Sequence, residues 1–579
     1  MSEKTRPLPP LVPLPNGGWE ARSFMSSADH KLRGEGLMPP NHVIPVIVVP
    51  GIMGTNLRAR RVPRLSRIED ERNGKVGPGE LVWRPPNGMQ EGLSASFEWR
   101  RIEAVDRQKL FDGPSLEVDE SGVIVLPDAA DGYVLAEEEV RERGWGEVHA
   151  DSYGALLHAL QTRLNQTFWF DEQAKKLFPQ RHWKDVMDCE PRKWGLREFE
   201  RLTEGHLKKH ARHYFPVYAV GYNWLEDCGK SSERLEKRIL EIIAFWTKAK
   251  RRCDKVILVT HSMGGLVARA CAKRIPGQVA GVIHGVMPAL GAPAVYRRMA
   301  CGTESASPGN SGFENLEASV VAKILGDTTE KTTAVLATSP GALELLPNHL
   351  YPGPWLHVRV RTSVGNPSSA GGSKKDFIAD KGSATGDYLH LPGGRSPNPY
   401  DLYRDITSWY RMINPALADP AGKHRKKPGG VEKAIKEAIG TAEAFHRSLG
   451  DYYHPNTYAF FGDDQEKRSY GQVRWVASQQ AGSAIAVTPG NISAAHFVSH
   501  SATGQRRVRV EGKTDMLFEL EHQDARGDGT VPHQSGTGPN GKVKQVFATR
   551  GYDHQGSYNN PEMLMLTLRL IVKIVQETP

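Results

Sequence analysis

The segment from Lys255 to Arg269, KVILVTHSMGGLVAR, places a serine in a pattern that could make it reactive. Five β-prone residues, Val256 to Thr260, predict a buried strand, and an apolar pattern with helical spacing begins at Leu266. Ser262 lies between them, in the short HSMGG turn. A serine at a sharp turn from strand to helix has its hydroxyl exposed at the end of the strand. We therefore predict that Ser262 is a catalytic nucleophile.

Two backbone N–H groups are predicted to stabilise the oxyanion that such a serine would create. The N–H of Met263 lies at the start of the predicted helix, where the partial positive charge favours an anion. The second donor in α/β-hydrolases comes from an early loop between strand and helix. Here the strand Val43 to Val49 leads into the glycine-bearing loop PGIMGTNL, and we assign this donor to Ile52. The sequence departs from the usual G-x-S-x-G motif at Thr260, which stands where that motif has glycine.

A serine nucleophile needs a base to take its proton, and the base needs a carboxylate to orient it. In α/β-hydrolases the chain order is serine, acid, histidine. His554 follows the last predicted strand, Val543 to Thr549, and is the only histidine to do so. Asp528 lies in the turn sequence RGDGTVP, which can aim a carboxylate inwards. We therefore predict a triad of Ser262, Asp528 and His554.

Other residues compete for the roles of acid and base. Asp463 and Asp464 directly follow a predicted strand, the simplest place for the acid, so the sequence leaves them as alternatives to Asp528. His261 is an alternative base only in principle, because neighbouring residues on such a turn point in different directions.

Strands and helices alternate around the serine in the order strand, helix, strand, turn, helix, which predicts parallel strands. We predict an α/β-hydrolase fold with a mostly parallel central sheet and large cap or lid insertions. An irregular arm over residues 1–40 precedes the hydrolase domain, residues 41–579. Insertions are expected at about 58–150, 166–212, 294–350 (the lid or cap), 362–455 and 465–523. Within them, residues 362–400 are predicted to be a loop, Gly122 to Leu126 a strand and Tyr400 to Ile413 a helix.

The composition excludes several classes of protein. Lys and Arg number 75 against 66 Asp and Glu, giving a net charge of +9 that is spread along the chain and favours contact with anionic surfaces such as membranes. Nucleic-acid binding is not expected, because no aromatic and basic platform or zinc-finger spacing occurs. The five cysteines are irregularly spaced and indicate neither a disulfide framework nor a zinc site. No cofactor or metal is predicted.

The sequence also allows predictions about export and membrane insertion. Its proline-rich N-terminus lacks the apolar core of a Sec signal peptide. No apolar run reaches about 18 residues, the length of a spanning helix. We expect a protein made in the cytoplasm, without a transmembrane segment, that leaves, if exported, by a route independent of a signal peptide.

Several motifs together resemble a known group of enzymes. PVIVVPGIMGTNL, VTHSMGGLVAR, RGDGTVP and the late Asp-His pair are similar to lecithin:cholesterol acyltransferase and lysosomal phospholipase, with kinship to GPI inositol-deacylase-like lipases. VIHGVMPALGAPAVYRRM and TTAVLATSPGALELLPN resemble bacterial type VI secretion lipase effectors of the GPI-deacylase-like class. The resemblance places the nucleophile at Ser262, the acid at Asp528 and the base at His554. It places the oxyanion donors on the backbone of Ile52 and Met263.

The resemblance further implies what the protein would do. It implies hydrolysis of glycerophospholipid acyl esters, injection into the periplasm of a neighbouring bacterium by secretion-spike components, and a cognate immunity protein. We therefore expect a serine lipase or phospholipase acting on membrane phospholipid. The alternatives are a carboxylesterase or acyltransferase acting on other esters, and an inactive binding module on a hydrolase fold.

Overall fold

The computed structural model of the chain describes residues 40–61, 77–126, 135–171, 173–305, 322–363, 384–394, 397–480, 487–512 and 514–578. The arm predicted over residues 1–40 lies outside this part, except for four strands of two or three residues. These are Thr5–Pro7, Val12–Pro13, Trp19–Glu20 and Lys31–Arg33. No helix in the described part is long and apolar enough to span a membrane.

Six parallel strands form the central sheet. In chain order they are β1 (Val46–Val49), β2 (Val217–Ala219), β3 (Val256–His261), β4 (Val279–Gly285), β5 (Thr457–Gly462) and β6 (Gln545–Thr549). Their order across the sheet is β2-β1-β3-β4-β5-β6, and every neighbouring pair is parallel. The predicted mostly parallel sheet is confirmed.

Five helices are used below. They are α1 (Ala150–Asn165), α2 (Cys228–Lys248), α3 (Gly264–Arg274), α4 (Gly430–Leu449) and α5 (Pro561–Glu577).

Helices cover both faces of the central sheet, which explains why apolar residues predominate on both faces of its strands. Alternate side chains of β3 enter different clusters: Ile257 and Val259 pack with α1 and α5, whereas Val256 and Leu258 pack with α2 and α3. Helix α2 presents one apolar stripe to the sheet, formed by Leu235, Ile239, Ile242 and Trp246. The sheet is therefore a buried layer whose strands end at a common edge, where loops can carry polar side chains.

A second sheet of six strands packs against a third apolar cluster. Across the sheet the strands are Ala384–Leu391, Leu356–Ser363, Val473–Gln480, Thr514–Leu520, Arg506–Val510 and His496–His500. Only Leu356–Ser363 and Val473–Gln480 run parallel to each other. The third cluster also holds Tyr296 and Met299 from the helix Ala294–Cys301, together with Leu346. The described parts of the predicted lid are thus packed in the interior.

Shorter elements complete the described part. The strands are His42–Val43, Leu57–Ala59, Leu81–Trp83, Leu116–Val118, Phe168–Asp171, Lys176–Pro179, His213–Tyr214, Asp464–Ser469 and Ala525–Gly527. The helices are Gly88–Arg101, Ala104–Leu110, Glu137–Glu142, Arg181–Asp188, Glu204–His210, Ala294–Cys301, Thr329–Leu336, Pro340–Leu343, Pro399–Arg404, Pro489–Ser493 and His533–Gly536. Short 3-10 turns occupy Gly113–Ser115, Trp145–Glu147, Pro191–Trp194, Pro276–Gln278, Pro415–Leu417 and Ser557–Asn559.

Three predictions of local structure were wrong. The strand Ala384–Leu391 lies within the predicted loop 362–400, because it pairs with Leu356–Ser363 far from it in sequence. The predicted helix Tyr400–Ile413 ends at Arg404, because the Asp405 carboxylate accepts the N–H groups of Thr407 and Ser408 and forms a turn instead. Residues 122–126 form no strand.

Candidate active site

The serine predicted as nucleophile lies in the turn between β3 and α3. Ser262 has φ +51°, a left-handed conformation that few residues other than glycine adopt. Its N–H donates to the Gly285 carbonyl at the end of β4 over 2.9 Å, which holds the strained turn against the sheet. Backbone strain of this kind is concentrated at functional sites. The strand, turn and helix predicted around Ser262 are all present.

Close packing explains the two glycines that follow the turn. A Cβ atom on Gly264 would lie 2.4 Å from the Pro50 carbonyl oxygen, and one on Gly265 would lie 2.5 Å from the Met287 sulfur. Both distances are shorter than atoms can approach, so only glycine allows α3 to pass this close to β1 and β4.

Thr260, the departure from the usual motif, is accommodated by polar partners. The residue is fully buried, and its hydroxyl lies 2.9 Å from Nδ1 of His284 on the neighbouring strand β4. The Tyr558 hydroxyl donates to the Thr260 carbonyl over 2.9 Å. A threonine therefore fits at this position because the protein supplies a hydrogen-bonding partner for its side chain.

The structure brings the three predicted side chains into one hydrogen-bonded line. Ser262 Oγ lies 2.8 Å from Nε2 of His554, and Nδ1 of His554 lies 2.8 Å from Oδ2 of Asp528. The Asp528 side chain is 1% exposed and that of His554 is 14% exposed, so the imidazole lies between a buried carboxylate and the serine. This is the arrangement that serine hydrolases use to activate the hydroxyl.

Backbone donors fix the Asp528 carboxylate. Its Oδ1 accepts the N–H groups of Thr530 and Val531 at 3.0 and 2.7 Å, leaving Oδ2 for His554. Gly529 has φ +93°, which closes the tight turn. A Cβ on Gly462, at the end of β5, would lie 2.7 Å from the Asp528 Cβ, so glycine there makes room for the acid.

The alternative acids have other partners. Asp463 pairs with Arg526 at 3.2 Å. Asp464 accepts the N–H groups of Glu466 and Gly551. The carboxylate in contact with His554 therefore belongs to Asp528.

The loop after β1 lies against the serine turn. A Cβ on Gly51 would lie 3.0 Å from the Ser262 Cβ, and Met53 has φ +63°, so the loop turns sharply beside Ser262. Within the described residues, the N–H groups of Ile52 and Met263 donate to no protein acceptor. These two N–H groups are the predicted oxyanion donors, and neither is occupied by another group of the described residues.

His261, the alternative base, turns away from the Ser262 hydroxyl. Its Nδ1 lies 2.9 Å from the Tyr153 hydroxyl and its Nε2 lies 2.9 Å from the His554 carbonyl oxygen. Burial, and then the neighbouring His554, lowers the pKa of His261 to about 3. Sequence reasoning missed Tyr153, because a tyrosine at the start of an amphipathic helix carries no signal of its own.

An aromatic cluster lies next to the predicted oxyanion loop. The Trp83 indole donates to the Met53 carbonyl over 2.8 Å. The rings of Trp83, Trp99, Phe111 and Trp224 lie with centroids 5.5 to 6.0 Å apart. Trp83, Phe111 and Trp224 are all buried, so the loop after β1 rests on an apolar core formed by the segments after β1 and β2.

Comparisons with known proteins agree with this fold. Residues 228–302 match the family model described as the PGAP1-like alpha/beta domain, which covers α2, β3, the serine turn and β4. No curated protein gives a significant sequence match. The fold and the match together define an α/β-hydrolase with a mostly parallel central sheet, as the sequence predicted.

A particular solved structure is similar over nearly the whole chain. It is the crystal structure of the Tle4–Tli4 complex, with 28% sequence identity and a TM-score of 0.69. The alignment covers 92% of this chain and 98% of the other. The predicted resemblance to type VI secretion lipase effectors is confirmed. The family-model match and the similarity to the Tle4–Tli4 structure together support a hydrolase of the lipase or esterase class.

Proposed function

We propose that this chain is a serine phospholipase that hydrolyses the acyl esters of membrane glycerophospholipids. The observation that carries the proposal is the line from Ser262 Oγ through His554 to Asp528, with both contacts at 2.8 Å. The left-handed backbone at Ser262 and the similarity to Tle4 support it.

The first half of the proposed reaction forms an acyl-enzyme. His554 Nε2 takes the Ser262 hydroxyl proton as Oγ attacks the ester carbonyl, and Asp528 stabilises the resulting imidazolium. The N–H groups of Ile52 and Met263 bind the carbonyl oxygen as it becomes an anion. Removing one such donor typically costs about 3 to 4 kcal/mol of transition-state stabilisation.

The tetrahedral intermediate then collapses to complete the acyl-enzyme, and water hydrolyses the acyl-enzyme in the second half of the reaction. The ester C–O bond breaks as His554 returns its proton to the leaving alcohol oxygen of the lysolipid. Water then attacks the acyl carbon, His554 takes a proton from the water, and Ser262 recovers it when the fatty acid leaves.

The surroundings of the site support a lipid substrate. The buried aromatic cluster around Trp83 and Trp224 packs against the predicted oxyanion loop, so this side of the site is apolar, as an acyl chain requires. We propose that the inserted segments within the hydrolase domain, residues 41–579, form the cap over this site.

The similarity to Tle4 also supports a biological role. Tle4 is a phospholipase effector of type VI secretion, and the solved complex pairs it with Tli4. We propose that this chain is likewise an antibacterial effector that secretion-spike components carry to the periplasm of a target cell. A cognate immunity protein would protect the producing cell.

The enzymatic proposal is tested with purified protein and glycerophospholipid vesicles. Wild type should release free fatty acid and lysophospholipid, and Ser262→Ala should release neither. Ser232→Ala is a matched control, because Ser232 is also buried and its hydroxyl donates only within the first turn of α2. Hydrolysis of soluble esters without any phospholipid hydrolysis would overturn the substrate assignment. Equal activity of wild type and Ser262→Ala would overturn the mechanism.

The effector proposal is tested by producing the protein in two compartments of one bacterial host, the cytoplasm and the periplasm. Wild type fused to a periplasmic export signal should stop growth, whereas the cytoplasmic form and the exported Ser262→Ala variant should not. Normal growth with an exported, active wild type would overturn the antibacterial role.

A further inference from the structure

A buried hydrogen-bond chain lies behind the predicted catalytic side chains. His261 immediately precedes Ser262 and is 3% exposed, and Tyr153 on α1 is 1% exposed. The Gly51 N–H lies 2.9 Å from the Tyr153 hydroxyl, which lies 2.9 Å from Nδ1 of His261. Nε2 of His261 lies 2.9 Å from the His554 carbonyl oxygen. The chain joins four segments that are far apart in sequence.

The two ends of this chain fix its direction. A backbone N–H only donates, so the Tyr153 oxygen accepts from Gly51 and its own proton goes to Nδ1 of His261. A carbonyl only accepts, so Nε2 of His261 carries a proton and donates it to His554. His261 is then a neutral imidazole with one tautomer, in agreement with its lowered pKa. Every polar atom in the chain has a partner.

The hydrogen-bond chain connects groups whose relative positions matter in the proposed reaction. Gly51 precedes Ile52, the predicted oxyanion donor, and His261 precedes the predicted nucleophile. The His554 backbone is held on both sides, since its N–H donates to the Asp528 carbonyl over 2.8 Å and its C=O accepts from His261. The imidazole extends from this fixed peptide to Ser262.

We propose that His261 and Tyr153 are positioning residues, which hold the His554 carbonyl and the Gly51 N–H so that base, nucleophile and oxyanion loop keep their relative places. This inference rests on the proposed serine hydrolase function. Both residues are buried, and in this proposal they act through Gly51 and His554. A displacement of about 1 Å in such a site can lower the rate about a hundredfold, so the loss of one link should appear in kcat.

The test compares two buried tyrosines. Tyr296 is fully buried between the second sheet and its helices, and its hydroxyl also accepts one N–H, from Trp475, and donates to one carbonyl, of Tyr410. Tyr153→Phe and Tyr296→Phe thus each remove a buried hydroxyl with two partners. The measurements are kcat and KM with a monomeric short-chain p-nitrophenyl ester, and the urea midpoint of unfolding.

The proposal predicts that the two variants lose similar stability but differ in kcat. Tyr153→Phe should lower kcat about tenfold or more, with KM nearly unchanged, which is the pattern for loss of transition-state geometry. Tyr296→Phe should retain the wild-type kcat. A second pair tests His261: glutamine can still present an N–H to the His554 carbonyl, whereas leucine cannot. His261→Gln should therefore be more active than His261→Leu.

The outcomes separate this inference from the proposed function. An active wild type and an inactive Ser262→Ala, with equal kcat for Tyr153→Phe and Tyr296→Phe, would overturn the positioning role alone. A wild type without esterase activity would overturn both proposals. If His261→Leu fails to fold, the tyrosine pair still decides.

Discussion

Changing Thr260 to glycine would restore the usual motif of the serine turn, and we predict that it destabilises the protein. The motif position is fully buried here, and the threonine hydroxyl is 2.9 Å from Nδ1 of His284. Glycine removes both the hydroxyl and the methyl group and leaves that ring nitrogen without this partner. The substitution should therefore make the sequence more typical and the protein less stable.

The magnitude follows from three contributions. A buried polar atom that loses its partner costs about 1 to 3 kcal/mol. Glycine within a strand costs about 0.5 to 1 kcal/mol in backbone entropy. The lost methyl group adds about 1 kcal/mol. The free energy of unfolding should fall by about 2.5 to 5 kcal/mol for Thr260→Gly. Thr260→Ser, which keeps the hydroxyl, should lose only about 1 kcal/mol.

Urea unfolding at neutral pH, followed by tryptophan fluorescence, measures both variants against wild type. The kcat for a soluble ester serves as a second readout and should change little, since Ser262 keeps its contacts with Gly285 and His554. The reasoning is refuted if Thr260→Gly is as stable as wild type, or if Thr260→Ser is the less stable of the two.

Three further predictions concern buried acids, buried bases and an exposed helix. Burial raises the pKa of the Glu344 carboxyl well above its usual range, so its contribution to stability is lost as pH rises. Glu344→Gln should therefore be more stable than wild type at pH 8. Equal urea midpoints for the two proteins would contradict this prediction. Burial lowers the pKa of four histidines, so the stability that they provide above about pH 6.5 is lost on acidification. Each should cost about 1 kcal/mol of unfolding free energy between pH 6.5 and 5.5. An unchanged urea midpoint over that interval would contradict this prediction. The pKa falls to about 3 for His210, His261 and His284 and to about 4 for His446. Phe97 is 65% exposed on the helix Gly88–Arg101 and should contact lipid. Phe97→Asp should therefore slow the hydrolysis of phospholipid vesicles but not of soluble esters. The control Leu517→Asp, on the second sheet, should change neither rate.

The central sheet could be predicted from sequence because most residues of its strands are apolar and β-prone. Val256 to Thr260 was predicted as a strand and the structure extends it to His261. Helix α2, Cys228–Lys248, has the same advantage, because Leu235, Ile239 and Ile242 form a regular stripe with helical spacing. An apolar pattern with one clear strand or helix period predicts the observed element well, because its apolar residues pack into the core.

The second sheet could be predicted only in part. Its strand Arg506–Val510 alternates buried and exposed residues, a pattern that can be recognised in the sequence. The strand Ala384–Leu391 was missed, because ATGDYLHL has no clear alternation and depends on pairing with Leu356–Ser363. Such tertiary pairing overrides local preference.

For the candidate site, the sequence favoured Asp528 as the acid but left Asp463 and Asp464 as alternatives. The geometry of the turn at residues 527–531, which sends two N–H groups to Asp528, is a property of the folded loop. The partnership of His261 with Tyr153 also could not be predicted, because it joins residues 108 positions apart.

The central claim is that Ser262 is a nucleophile activated by His554. Treating the protein with a fluorophosphonate probe and locating the adduct by mass spectrometry tests it directly, because the serine oxygen displaces fluoride only when activated. The account predicts one adduct, on Ser262, which disappears in Ser262→Ala and forms far more slowly in His554→Ala. An adduct of equal yield in Ser262→Ala, or a rate unaffected by His554→Ala, would contradict it.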